Sequence, residues 1–495
     1  MSDSYILAID QGTSSTKTII FDQYGKAIFK AVEALKTHYL ESNRVEQEPE
    51  EIYQNVLASV KKCLEGFTST GGNIKRIKAC GISNQRETFV IWDKSGKPLY
   101  NAVVWQCKRS IEVCDRLTSE GLESKINQKT GLIIDPYFSG TKVIWLYENE
   151  PKIKAAIDNG EAFFGNVDTW LLYNMTGGKS YMTDYTNASR TMFFNLKELK
   201  WDEELLADFG LSSLNLPELK PSSYHFGQTN LNCLLDHEIS ISAMIGDSHA
   251  AAFGEGCFET GNAKATLGTG SSILMNIGSE PKSSQNGMVT TICWSTEDRI
   301  DYALEGIIVS AGATIEWVKT QLGLFESTGD LEKICLSLDD NGGVYIVPAF
   351  SGLGAPHWDM NRKASIEGLS FDSTKNHVIR AAVESVPYQI KDVIVAMEAD
   401  SGTPLTELKI DGGITSNKFV VQLLADLLEC KVTNIEIADV SALGAGYLAG
   451  LNAGVYKSIV QLKTFNQSTT STLAGPDSEK VKVYYGGWEK VIQKK

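Results

Sequence analysis

At 495 residues, with 42% hydrophobic and 22% charged side chains, the chain has ordinary globular composition and room for about two to four domains, which excludes disordered, collagenous and coiled-coil readings. Lysine plus arginine number 46 and aspartate plus glutamate 61, a formal charge of −15 that argues against nucleic acid as a partner, because such binding rests on basic surface. Phosphate ligands stay open, since a few local donors bind an anion against an acidic average.

The start, MSDSYILAIDQG, lacks the basic segment and long apolar run of a signal peptide, and no apolar run reaches the ~18 residues that span a bilayer. No membrane insertion is expected. Nine cysteines lie between Cys63 and Cys430 without a C-x-x-C pair, which fits reduced thiols in the cytoplasm. The sequons at Asn187 and Asn466 carry little weight without a secretory route.

In chain order, apolar runs at 5–9 and 18–21 predict a hairpin around the polar turn 10–17, with Gly12 supplying backbone freedom. Pro49 opens a helix with Ile52, Val56, Val60 and Leu64 on one face. Buried strands at 77–83 and 88–92 flank Asn84-Gln85-Arg86-Glu87, and 140–149 reads as a helix. At 242–256 a strand end, a turn and a helix follow, then a second hairpin at 262–278. Its turn, Gly-Thr-Gly-Ser-Ser, echoes the Gly-Thr-Ser-Ser of the first about 255 residues earlier. The expectation is two halves of one plan, 1–251 and 252–495, touching and able to hinge. The second half continues with a helix at 311–323 burying Ile315, Val318 and Leu322, and a long helix at 376–398 kinked at Pro387. A strand, glycine turn and helix span 408–430 with Ser416 as N-cap, a small-residue helix covers 441–450, and 457–481 reads as surface connection.

Turns lined with backbone N–H groups and hydroxyls make anion concavities, so residues 12–15 and 268–272 are candidate phosphate cradles. Asp10 beside the first is a hard oxygen ligand suited to magnesium shared with phosphates. A third turn, Asp411 to Thr415, allows close backbone approach at Gly412 and Gly413, with Asn417 placed for an adenine or ribose edge. No P-loop occurs, and Gly444-x-Gly446-x-x-Ala449 lies inside a helical run, where close helix packing explains it. Asp247, at the mouth of a strand, is either a helix cap or a general base for a hydroxyl. Arg86 and Glu87 are either a structural ion pair or a pair that binds hydroxyls, and Trp105 and Tyr137 are either core aromatics or walls against a carbon chain.

Several motifs in order resemble the FGGY family of carbohydrate kinases across nearly the whole chain. They include DQGTSSTK (10–17), GISNQRETFVIWD (81–93), TDYTNASRTM (183–192), VPAFSGLGAPHWD (347–359) and DGGITSN (411–417). The resemblance implies an α/β fold of two actin-like, ribonuclease-H-type domains around a central cleft. It implies ATP-dependent phosphorylation of a polyol's primary hydroxyl, with glycerol to glycerol 3-phosphate as the first candidate reaction and ATP and Mg2+ as cofactors. Carried over residue by residue, Asp247 is the catalytic base, and Arg86, Glu87, Trp105, Tyr137 and Ser248 line the polyol site. Asp10 holds magnesium, and Thr13, Ser14, Ser15, Gly268, Thr269, Gly312, Glu316, Gly413 and Asn417 meet the nucleotide. A homodimer or homotetramer is implied.

Five departures stand out. Members acting on glycerol usually carry Gly-Asp-Gln-Gln where this chain has Gly246-Asp247-Ser248-His249, and an aromatic residue where it has Ser272. That favours a larger, more polar pocket and keeps a longer polyol or a ketose (erythritol, pentitol or xylulose type) as an alternative acceptor. Glu316 replaces a usual glutamine, Lys363-Ala364 alters the second family signature, and Glu238 replaces an arginine of the fructose-bisphosphate inhibitory site, so no such inhibition is expected. The rival reading from another class is an actin-like assembly or chaperone ATPase, which would need no polyol pocket.

Overall fold

A computed structural model describes residues 4–465 and 469–494, so the Asn466 sequon lies outside the described residues. In the first large sheet the order is Ser223–Thr229, Ile239–Gly246, Ile77–Asn84, Tyr5–Gln11, Ser15–Asp22, Ala27–Ala34. Tyr5–Gln11 pairs antiparallel with Ser15–Asp22 and parallel with Ile77–Asn84, which pairs parallel with Ile239–Gly246. The second large sheet repeats this. Asn262–Leu267 pairs antiparallel with Ser271–Gly278 and parallel with Glu407–Asp411, which pairs parallel with Lys431–Ile435. Val289–Ser295, Ile300–Ile308 and Thr469–Thr472 complete it. The architecture is α/β, a pair of ribonuclease-H-type domains of the actin-like kind.

Parallel strands need cover on both faces. On the first sheet, Pro49–Ser69 covers one face with Ile52, Val56, Val60 and Leu64, all buried at the predicted spacing. Asp247–Gly254 and Val440–Asn452 cover the other, so a helix from late in the chain closes the core of the early sheet. These elements approach too closely for side chains: a Cβ on Gly444 would lie 1.9 Å from the Ala250 carbonyl oxygen, and one on Gly81 2.3 Å from that of Ala445. The glycine spacing at 444–446 is a packing device, as expected. On the second sheet, Lys375–Ser401 and Lys418–Leu428 bury Val386, Ile390 and Leu424 against Leu267, Ile273 and Ile410.

Some local expectations are corrected. The helix near 311 is Gly312–Thr320, which leaves Leu322 exposed on the bend that follows. The long helix extends further than expected, over Lys375–Ser401, and Pro387 lies inside it. Asn417, not Ser416, caps Lys418–Leu428, its Oδ1 accepting from the Phe419 N–H at 3.0 Å. Part of 457–481 is ordered pairing: Thr469–Thr472 adds an edge strand to Lys431–Ile435. Gly12 sits in the first turn without a left-handed φ, while its N–H donates to the Ser15 carbonyl at 3.0 Å.

Candidate active site

Three parallel strands of the first sheet end side by side, with Gln11 opposite Asn84 and Asn84 opposite Gly246. Their carboxyl ends deliver Asp10, the Gln85–Glu87 turn and Asp247 to one place, the usual location for ligands in open α/β sheets. Helix Asp247–Gly254 starts with no intervening turn, and Gly246 occupies the N-cap position. The cap reading of Asp247 therefore fails; its Oδ1 accepts from the adjacent Ser248 N–H, at 2.7 Å. The carboxylate is 39% exposed and lies 3.4 Å from Arg86 Nε. Desolvation raises its pKa, the Arg86 charge opposes that rise, and the nearby Asp10 carboxylate adds to it. A partly desolvated carboxylate in reach of the cleft is chemically suited to take a proton from a hydroxyl.

Arg86 and Glu87 are both buried. Glu87 adopts φ 59°, a strained conformation for a side chain larger than glycine that persists because its surroundings over-determine it. Its Oε1 accepts from Arg190 Nε at 2.6 Å and its carbonyl from Ser139 Oγ at 2.8 Å. Arg86 Nη2 donates to Glu305 Oε1 at 2.8 Å. Trp105 and Tyr137 meet edge to face at 5.6 Å. Trp105 Nε1 donates to Thr13 Oγ1 at 2.9 Å, and that hydroxyl donates to Gln85 Oε1 at 3.1 Å. Thr13 of the first turn thus braces the Trp105 indole. Buried Lys142 donates to the carbonyls of Pro136 and Tyr137 at 2.8 and 2.7 Å, which fixes the Tyr137 loop, and burial lowers its pKa to about 8. Ser248 and Ser272, from opposite halves, place their hydroxyl oxygens 3.2 Å apart, and Ser272 Oγ donates to Glu305 Oε1 at 3.3 Å.

A cleft of about 710 Å³ brings together Gly268, Thr269, Gly312, Glu316, Gly413 and Asn417. Its backbone is interlocked. The Gly312 N–H donates to the Gly268 carbonyl at 3.0 Å, and a Cβ on Gly312 would stand 2.7 Å from that oxygen. Gly412 has φ 100°, and a Cβ there would meet the Leu267 carbonyl at 2.5 Å. Ile315 and Ile414 give the cleft apolar walls. Ser14 and Ser15 of the first turn do not line it; Ser14 is exposed and Ser15 partly so.

Asp10 accepts from Ser83 Oγ at 3.1 Å and lies 3.4 Å from Lys17 Nζ; burial raises its pKa while Lys17 opposes the rise. Among the described residues no group of three or more His, Cys, Asp or Glu side chains forms a metal cage. Neighbouring carboxylates at Asp10 and Asp247, each destabilised as an anion, fit instead a magnesium ion that takes one or two protein oxygens and the rest from phosphates and water.

Sequence reasoning missed Glu305, Arg190, Lys17, Asp439 and His249. Lys17 bridges Asp10 and, at 3.1 Å, Asp439 Oδ1. His249 is fully buried, with Nε2 3.4 Å from Thr291 Oγ1, and desolvation holds it neutral. A signal existed for Glu305, a carboxylate set among apolar residues in the middle of the strand Ile300–Ile308.

The model of the FGGY family of carbohydrate kinases matches the chain twice, with its N-terminal domain over residues 5–254 and its C-terminal domain over 263–453. A glycerol kinase of Carboxydothermus hydrogenoformans is 45% identical over 99% of this chain and 98% of the relative. The crystal structure of Plasmodium falciparum glycerol kinase with ADP superposes with a TM-score of 0.94 at 34% identity, covering 99% and 98% of the two chains. A ligand-bound xylulose kinase from Lactobacillus acidophilus, at 20% identity and a TM-score of 0.87 over 99% and 97%, shares the fold.

Proposed function

The chain belongs to the FGGY family of carbohydrate kinases, ATP-dependent phosphotransferases, and from that premise we propose that its acceptor is glycerol and its product glycerol 3-phosphate. The observation that carries this reading is the half-exposed Asp247 carboxylate 3.4 Å from Arg86 at the ends of three parallel strands. Asp247 accepts the proton of the terminal hydroxyl as the hydroxyl oxygen attacks the γ-phosphorus in line, while the bond from that phosphorus to the β–γ bridging oxygen breaks and ADP leaves. Arg86 and Glu87 hold the remaining hydroxyls, and Trp105 and Tyr137 pack on the carbon chain. Backbone amides of the turns at Gly268 and Gly413 carry the phosphates, with the base against Ile315 and Asn417, since positioning and electrostatics dominate phosphoryl transfer. Asp10 would hold a magnesium ion together with the phosphates, and that ion would supply positive charge near the transferred group. Labour divides near residue 251: acceptor and first phosphate turn before it, nucleotide after it. A cytoplasmic homodimer or homotetramer accompanies this reading and is checked by sedimentation.

A second acceptor class, a four- or five-carbon polyol or ketose, is favoured by one observation. Where Ser248 and Ser272 face each other, the pocket offers two hydroxyls in place of bulk. ATP consumption with glycerol, erythritol, threitol, xylitol, xylulose and ribulose decides: the highest kcat/KM with glycerol supports the first reading, a longer acceptor the second, and hydrolysis indifferent to acceptor overturns both. Asp247→Asn removes proton acceptance, and turnover is expected to fall by roughly 10²–10⁴ while nucleotide affinity holds. Turnover near the parent rate would sink the base assignment.

A further inference from the structure

The charged groups assigned to the acceptor come from the first half of the chain, yet the carboxylate that holds them comes from the second. Glu305 projects from Ile300–Ile308 with its side chain fully buried. Its Oε1 accepts from Arg86 Nη2 at 2.8 Å and from Ser272 Oγ at 3.3 Å, and its Oε2 lies 2.8 Å from Arg190 Nη1. Arg190, itself fully buried, turns its Nε to Glu87 Oε1 at 2.6 Å. The result is a dry chain of charges, Arg86–Glu305–Arg190–Glu87, whose two ends are the acceptor-binding pair. We propose that Glu305 is a positioning residue for the acceptor: from the second half it holds Arg86 directly, and Glu87 through Arg190, where they meet the substrate's hydroxyls. This rests on the reading of Arg86 and Glu87 as acceptor-binding groups.

Competition among anions supports a positioning role over simple cohesion. Arg86 has a second carboxylate in reach, since its Nε is 3.4 Å from Asp247 Oδ1. Its Nη1 is buried with no hydrogen-bond partner among the described residues, which leaves that nitrogen for a substrate oxygen. Glu305 occupies Nη2 and so orients the guanidinium plane with Nη1 free. Without that anchor the buried charge has only Asp247 and Glu87 to balance it, and the plane rotates toward the base. A buried charge stripped of its partner seeks another, because solvation by water is not available.

Steady-state kinetics with acceptor and ATP varied separately tests this in the full-length enzyme. Glu305→Gln keeps the shape and removes the charge; the acceptor KM is expected to rise at least tenfold while the ATP dissociation constant changes less than twofold. Glu305→Asp restores the charge on a shorter arm and is expected to recover part of the acceptor KM. An unchanged acceptor KM in Glu305→Gln, or acceptor and ATP constants rising together, overturns the proposal. Should Glu305→Gln not fold, Glu305→Asp decides alone: a several-fold acceptor KM increase at intact ATP affinity supports it, and a parental KM overturns it. Parent enzyme inactive on every polyol would sink the acceptor reading beneath it, which the panel above detects separately.

Discussion

Asp168 is a fully buried carboxylate behind the active site. It accepts from Thr183 Oγ1 at 2.7 Å and lies near Asp184, which binds Asn187, whose Oδ1 accepts from Asn84 Nδ2 at 2.8 Å. Desolvation first, and the Asp184 charge second, raise its pKa from 3.8 to about 7. The sign follows: between pH 4 and 7 the folded state holds a proton that the unfolded chain has lost, so stability falls as pH rises through this window. Asp168→Asn keeps an acceptor for Thr183 and removes the titration. Urea unfolding at a series of pH values should show the parent losing up to about 4 kcal/mol relative to this variant between pH 4 and 8; parallel curves would refute the buried titration. At this scale the sequence was legible where chemistry is local. Asp247 follows an apolar strand, and Arg86 and Glu87 stand between two. Glu305 and Arg190 were not read as site residues because Arg86 and Glu305 are 219 positions apart, a pairing that only the fold creates.

Elements were legible in the same way. Ile52, Val56, Val60 and Leu64 repeat within one helix, so its buried face shows in the sequence. The cap at Asn417 and the end of the helix at Thr320 depend on neighbouring residues that compete for one position, and there the reading slipped by one and by three residues. The pairing of Asp247–Gly254 with Val440–Asn452 could not be read, although its glycines could. Gly254 meets Val440, with a Cβ-to-carbonyl distance of 2.4 Å, and Gly444 meets Ala250. Both obstacles are backbone, so neither can move aside. Gly444→Ala should therefore push the helices apart at a cost of about 3 kcal/mol or more. Because Asp247 opens one of them, turnover should fall further than loss of folded protein explains. Thermal unfolding with active-site titration separates the two effects; a variant of parental stability would show that the contact relaxes freely.

For the whole molecule, the division of labour proposed near residue 251 does not match the packing, because one core draws on both halves. Ile6, Ala8, Phe21, Ala79 and Ile245 of the first sheet form one core with Leu443, Ala445, Leu448 and Ala449, from a helix that follows all but the last strand of the second sheet. Two further ties cross the halves: Lys17 and Lys30 meet Asp439, and Arg86 and Arg190 meet Glu305. A fragment of residues 1–261 leaves that apolar face bare. It should bind a hydrophobic dye, lack near-ultraviolet dichroism and unfold without a sharp transition, whereas the intact chain should unfold with its two halves coupled. Supplying residues 436–465 on a flexible linker restores the missing cover and is expected to restore a cooperative transition. If the bare fragment unfolds cooperatively, the returning helix is dispensable to the first half. The coupling has a mechanistic use. On the proposed role of Glu305, the first half alone lacks both the cover of its sheet and the anchor of Arg86, so acceptor binding should require the second half.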